Sequence, residues 1–268
     1  MLRNLKLIFI HGVSAQNSNY SAGLFELILR IARQRLLAQG HTAAAITQML
    51  DATVSHEVLW VNFTTDLTNR YLQLAYPTTP LFWGKLTKPL DPLMIQIMEY
   101  IKDKGDKGSG VENILAGVDD QFRRIFSYKD IGADPAPHEG HNAIIVAHSL
   151  GSVIAFDYLM GFRKDHALPH TVKLPSFITM GSPIPLFITA MGHPDSDLTL
   201  PPNVGRWVNI HSPRDGIGRP LQPFFRNIPI ADHLVRTKFT PIAAHSAYWR
   251  NAATAHIIAD QVLDALDG

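Results

Sequence analysis

Leu5 to Ile10 is a near-continuous apolar run, interrupted only by Lys6 and closed by His11-Gly12. A run of that length without polar alternation predicts a strand buried on both faces, as in a parallel sheet covered by helices. Five further stretches share the character: His56 to Val61, Asn142 to Ala147, Ser176 to Met180, Arg206 to Ile210 and, more weakly, His233 to Thr237. Between them, apolar positions recur at helical spacing. Ser21 to Gln39 carries Leu24, Ile28, Ile31 and Leu36, and Gly40 supplies a stop. Ile114 to Phe126, Ser152 to Phe162 and Ala252 to Leu266 repeat the pattern. Strands alternating with helices predict an α/β architecture with a mostly parallel sheet, not a sandwich or a bundle.

Three stretches fall outside that rhythm. Phe63 to Gly110 mixes aromatic residues with Pro77, Pro80, Pro89 and Pro92, then ends in the charged, glycine-rich segment Lys102 to Gly110. It reads as an insertion over the sheet. Asp130 to Gly140 and Pro185 to Pro202 predict proline-punctuated loops. The 268 residues suffice for one large domain with a full core. Lysine and arginine number 24 against 23 acidic residues, so no global field recruits nucleic acid or an anionic membrane. The absence of cysteine removes disulfides, thiolate metal sites and a cysteine nucleophile, which leaves oxygen or nitrogen to do any nucleophilic work. The apolar run ending at Ile10 is too short for a signal-peptide core, and no stretch reaches the roughly 18 apolar residues of a spanning helix. The expectation is a soluble, cytoplasmic protein.

The segment Asn142-Ala143-Ile144-Ile145-Val146-Ala147-His148-Ser149-Leu150-Gly151-Ser152-Val153 carries the chemistry. A buried strand runs into a small-x-Ser-x-Gly turn and an apolar helix begins at once. That context suits a nucleophile elbow, a strained turn that lifts a serine hydroxyl above the carboxyl edge of a sheet. Ala147 and Gly151 are small where strand and helix backbones crowd together. On these residues the chain resembles the α/β-hydrolase family of serine esterases and lipases, from Leu5 to about the end of the chain with the insertion excepted. Alanine replaces the first glycine of the usual Gly-x-Ser-x-Gly pattern, as in one branch of that family.

The resemblance implies an α/β-hydrolase fold, with helices on both faces of the sheet and Phe63 to Gly110 as an inserted cap. It also implies that Ile10-His11-Gly12-Val13 forms an oxyanion loop. The amides of Val13 and Leu150 would stabilise the charge of a tetrahedral intermediate, with His11 and Gly12 supporting the loop. A base and an orienting carboxylate would follow Ser149 in the order Ser, acid, His. Asp215, in the polar turn after Arg206 to Ile210, is the expected acid; Asp195, Asp197 and Asp232 compete. His245, between the last strand and the final helix, is the expected base, with His233 as runner-up and His256 assigned to the final helix.

Other motifs have plainer readings. Ser182 precedes a proline and reads as loop structure beside the site. His138-Glu139-Gly140-His141 lacks the zinc-binding spacing, and His193 to Asp197 lacks a calcium loop's ligand count. The expected activity is hydrolysis of a small-molecule ester with an apolar acyl group, without cofactor or metal. A thioesterase, an amidase, an acyltransferase or a silent scaffold would use the same framework. The insertion's place follows from spacing: 138 positions separate His11 from Ser149, where two β-α units need roughly 60 to 70.

Overall fold

The computed structural model describes residues 5–12, 18–60, 110–126, 142–160, 168, 172–190, 198–237 and 240–267. The strands are β1 (Leu5–Ile10), β2 (Thr53–Val58), β3 (Asn142–His148), β4 (Lys173–Met180), β5 (Val204–His211) and β6 (Ile230–Leu234). The helices are α1 (Ala22–Ala38), α2 (Ala43–Asp51), α3 (Gly110–Phe126), α4 (Leu150–Leu159), α5 (Ile184–Ala190), α6 (Pro241–Ser246) and α7 (Ala252–Asp267), with 3₁₀ turns at Gln222–Phe224 and Ala247–Arg250. The six strands form one sheet in the order β2-β1-β3-β4-β5-β6, and every pairing is parallel.

Alternation within the apolar runs decides which face each side chain takes. Leu5, Leu7 and Phe9 of β1 join Ile144 and Val146 of β3 in a core against α1 and α7. Ile8 and Ile10 join Ala143, Ile145 and Ala147 on the opposite face, against α3, α4 and α5. Helix α4 is buried from Leu150 to Tyr158, as a helix without a polar face must be. This doubly wound parallel sheet, with a serine elbow at the carboxyl end of β3, is the α/β-hydrolase architecture.

The expected boundaries shift at both sheet edges. Strand β2 begins three residues before His56 and ends at Val58. As an edge strand it is buried only at its ends, Thr53 and Val58, with Val54 and Ser55 exposed, so the apolar signal marked the buried Trp60 beyond its end. Strand β6 likewise ends at Leu234 and begins at Ile230, not His233. Three described helices had no expectation: α2, α5 and α6. Helix α2 is capped by Thr42, whose hydroxyl accepts the Ala45 amide at 3.3 Å, and it buries only Ile46 and Leu50. Helix α5 occupies the start of the expected Pro185 loop, because a proline in the first turn lacks only an amide that the helix does not use. The expected insertion lies outside the described residues except at Gly110.

The order of the strands reverses between β1 and its neighbours: the chain goes first to β2 on one side, then to β3 on the other. At such a switch point the loops leave in opposite directions and open a crevice at the carboxyl edge. Here the two loops meet closely. A Cβ built on Gly151 would lie 2.1 Å from the His11 carbonyl oxygen and 2.9 Å from that of Ile10. Gly151→Ala should therefore destabilise the fold by about 1–3 kcal/mol or more through overpacking against rigid backbone. Gly23→Ala in α1, where nothing lies within 4 Å of the added carbon, should be neutral or stabilising by up to about 1 kcal/mol. Equilibrium denaturation of both variants checks this; equal effects would contradict the packing argument.

Candidate active site

Ser149 sits between β3 and α4 at φ 53° and ψ −132°, a conformation that costs a non-glycine residue about 1–3 kcal/mol. Its amide donates to the Met180 carbonyl at 3.0 Å, which anchors the turn to the neighbouring strand. The Ser152 hydroxyl donates to the Ser149 carbonyl and lies 2.8 Å from the Ser182 hydroxyl. Ser182 thus braces the elbow from behind, in keeping with its expected structural role. Leu150 is the first residue of α4, so its amide lies among those without an intrahelical acceptor.

His245 lies in the last turn of α6 and Asp215 in the turn after β5. The His245 Nε2 atom is 2.7 Å from the Ser149 hydroxyl oxygen, and its Nδ1 is 3.0 Å from each carboxylate oxygen of Asp215. A carboxylate only accepts, so neutral His245 carries its proton on Nδ1. Nε2 then offers its lone pair to the serine hydroxyl. The three residues expected to act together are brought together.

Asp215 is buried, with no exposure of its side chain. Its Oδ1 also accepts the Ile217 amide at 2.8 Å and its Oδ2 the Tyr248 hydroxyl at 2.8 Å. Burial alone would raise its pKa, but the hydrogen bond and charge of His245, with the Ile217 and Gly218 amides, bring it down to about 2. Tyr248 is pushed well above the usual tyrosine range by burial and by the Asp215 charge, so its hydroxyl remains a donor. Tyr248 falls three residues after His245, in the 3₁₀ turn that follows α6. Room for this cluster comes from Gly181, at φ 56°. A Cβ there would lie 2.8 Å from the Tyr248 ring and 2.9 Å from Asp215 Oδ2. Neither residue stood out in the sequence, although the three-residue spacing to Tyr248 was a usable signal.

The competitors are placed elsewhere. Asp232 is on β6, where it accepts from the Asn209 side chain at 2.7 Å and from the Leu221 and Gln222 amides, each at 2.9 Å. It closes the loop between β5 and β6. His233 is exposed on that edge strand, and His256, on α7, lies 3.2 Å from the Arg35 guanidinium. Asp195 and Asp197 lie outside the described residues, as do His138 to His141 and His193. Among the described residues no three His, Asp or Glu side chains gather in a metal-binding group, and no described helix is long and apolar enough to cross a membrane.

On the oxyanion side, Val13 lies outside the described residues, but both flanks of its loop are pinned. His11 is fully buried, its ring stacked on Trp60 at 5.3 Å between centroids and edge-on to Tyr20 at 5.3 Å. Trp60 donates to the His11 carbonyl at 2.7 Å, and His11 Nδ1 donates to the Gly12 carbonyl. At the far flank Glu57 accepts the Asn19 amide at 2.6 Å, the Ser21 amide at 2.7 Å and the Ser21 hydroxyl at 2.6 Å. Burial lowers the pKa of His11 to about 4 against the opposing pull of the Gly12 bond and the Glu57 charge. His11 is therefore a neutral wall of the loop and no proton carrier near pH 7.

No known family model matches the sequence, and no curated protein matches it. Two solved structures of similar shape are an iodinated complex of an acetyl xylan esterase and the esterase domain of a Rhodothermus marinus protein. The first shares 11% identity over 100% of this chain and 97% of its own, at a TM-score of 0.35. The second shares 14% identity over 97% and 84%, at the same TM-score of 0.35. The fold stands on the strand order and register described above.

Burial also depresses His148, to about 3, with the positive field of His245 acting in the same sense. His11 and His148 are therefore neutral in the folded protein at pH values where the unfolded chain, with histidine near 6.5, binds protons. Stability should be full above about pH 6.5 and fall as pH drops toward about 4, because the unfolded state gains up to two protons that the folded state refuses. Asp215 adds a loss only below its unfolded value of about 3.9. Denaturant midpoints measured from pH 8 to pH 4 check this; a flat profile would contradict the neutral burial of both histidines.

Proposed function

We propose that this protein is a serine hydrolase that cleaves carboxylic esters through an acyl-enzyme on Ser149. The observation that carries the reading is the continuous hydrogen-bonded chain from the Ser149 hydroxyl through both His245 nitrogens to buried Asp215, set on a strained elbow at the sheet's switch point.

In the first step Ser149 Oγ attacks the ester carbonyl while His245 Nε2 takes the hydroxyl proton. The tetrahedral oxyanion would lie against the amides of Leu150 and Val13. His245 then returns the proton to the departing alcohol, and the acyl group stays on serine. Water, deprotonated by the same nitrogen, releases the acid and restores the serine. Asp215 keeps its charge throughout: with a pKa of about 2, it stabilises the imidazolium without taking its proton. The triad does not by itself choose the leaving group, so thioesters and amides are the substrates to compare with esters.

The chain spanning Phe63 to about Gly110 serves, in this reading, as a cap that selects the acyl group. It follows β2, whose carboxyl end opens on the same edge as Ser149 because the two strands run parallel. Its Tyr71, Tyr76, Phe82, Trp83 and Met94 suit an apolar acyl chain.

Ser149→Ala should fold as wild type and lose turnover by roughly 10⁴-fold or more, together with all labelling by a fluorophosphonate probe. Asp215→Asn should keep the fold and lower kcat by on the order of 10³–10⁴-fold by favouring the wrong imidazole tautomer. Wild-type hydrolysis by folded Ser149→Ala would end the proposal, and a larger catalytic loss in Asp232→Asn than in Asp215→Asn would reassign the acid. Replacing Pro77 to Leu90 with a short glycine-serine linker should change the ratio of rates on long and short acyl esters; an unchanged ratio in a folded variant removes the cap from substrate selection.

A further inference from the structure

One buried side chain at the site takes no part in that mechanism. His148 ends β3 immediately before the nucleophile and is 6% exposed. Its Nε2 lies 2.7 Å from the His245 carbonyl oxygen. A carbonyl only accepts, so His148 carries its proton on Nε2 and donates. This is the opposite tautomer from that of His245.

The acceptor's position explains why a donor is useful there. His245 belongs to the last turn of α6, where carbonyls run out of helical amides. The donor comes from the residue covalently joined to Ser149. A short closed loop results: from the Ser149 backbone to His148, across the hydrogen bond to the His245 backbone, and back through the His245 ring to the Ser149 hydroxyl at 2.7 Å.

The ring is also clamped. The rings of His245, Tyr248 and Trp249 lie 4.9, 5.8 and 5.7 Å from it between centroids. Across from them the turn after β1 closes in: a Cβ on Gly12 would stand 3.1 Å from His148 Nδ1 and 2.6 Å from Ser149 Cβ. A side chain so enclosed holds one position.

We propose that His148 is a positioning residue, whose Nε2–H bond to the His245 carbonyl fixes the distance between the His245 ring and the Ser149 hydroxyl. The inference rests on the serine-hydrolase reading above. His148 stays neutral near pH 7, since its burial opposes protonation, and a second cation beside the base is thereby avoided. The ring acts on the reacting atoms through His245, so its loss should damage the chemical step and leave substrate binding nearly intact. A displacement of about 1 Å in a reacting group costs on the order of 10²-fold in rate.

The test uses two substitutions of similar shape that differ in their donor. His148→Gln keeps an N–H near the position of Nε2; His148→Met has none. The expected result is that His148→Met lowers kcat and the rate of fluorophosphonate labelling together by about 10- to 100-fold, with KM changed less than about threefold, whereas His148→Gln recovers most of the loss. A folded His148→Met enzyme with wild-type kcat overturns the proposal. So does a His148→Gln enzyme as slow as His148→Met, which would assign the effect to ring packing. Should His148→Met fail to fold, the wild-type protein still decides: long-range ¹H–¹⁵N spectra of histidine-labelled protein must show His148 protonated at Nε2, and an Nδ1–H tautomer overturns the proposal. Failure of the underlying reading looks different, because Ser149→Ala would then remain active whatever happens at position 148.

Discussion

The arrangement depends on how closely two loops from adjacent strands lie at the carboxyl edge of the sheet. Strands β1 and β3 pair with Ile10 opposite Ala147, so the register brings Gly12 level with Ser149. Neighbouring strands are only about 4.8 Å apart, and no side chain fits at position 12 or 151. The same levelling continues outward. Met180 pairs with His148 on one side and with Ile210 on the other, and the Gly181 amide donates to the Ile210 carbonyl at 3.0 Å. Four loops therefore leave the sheet at one height. Gly12, Ser149, Gly181 beside the Asp215 carboxylate, and the turn that carries Asp215 share that height because of strand register.

That crowding dictates the electrostatics. A buried site of this density has little water to stabilise charge, so each ionisable group must be neutral or well provided with hydrogen bonds. His11 and His148 are held neutral, and the Tyr248 hydroxyl is held protonated. Asp215 alone keeps its charge in the cluster, surrounded by donors from His245, Ile217 and Tyr248. In the proposed mechanism this single negative charge behind Nδ1 stabilises the imidazolium formed when Nε2 takes the serine proton. A protonated neighbour would oppose that positive charge.

Much of this was legible because it rests on local pattern. Continuous apolar runs marked the central strands β1, β3, β4 and β5, whose two faces are both buried, and they marked the edges poorly. Strands β2 and β6 are buried only at Thr53 and Val58 and at Ile230, and there the apolar signal slid to the nearest buried residues, Trp60 and Val235, beyond the strand ends. The elbow was legible because its strand, turn and helix are contiguous. Asp215 and His245 were ranked by chain order, and their 3.0 Å contact joins residues 30 positions apart. What escaped was contact made in three dimensions: Gly181 lies in a turn that looks ordinary until the Tyr248 ring and the Asp215 carboxylate approach it, and Glu57 reads as a surface charge until it captures the start of α1. His148 was read only as a filler position of the elbow motif, since nothing in a strand's own sequence shows which carbonyl will lie beside it.

The described framework also separates chemistry from selection. The side chains that meet around the reacting atoms come from the ends of β1, β3, β4 and β5 and from α6 and the turn after it. Their neighbours are glycines, buried aromatic rings and backbone, all of which resist substitution for steric reasons. By contrast Glu57 in β2 and Trp60 just after it act as braces, and the chain then continues into the long stretch from Val61 onward. These braces hold the end of β2 and the residues after it against the start of α1 and the turn after β1. Tight packing at positions 12, 151 and 181 fixes the spacing of Ser149, His245 and Asp215 at the sheet edge, and in the proposed reading the segment after β2 is what selects the acyl group.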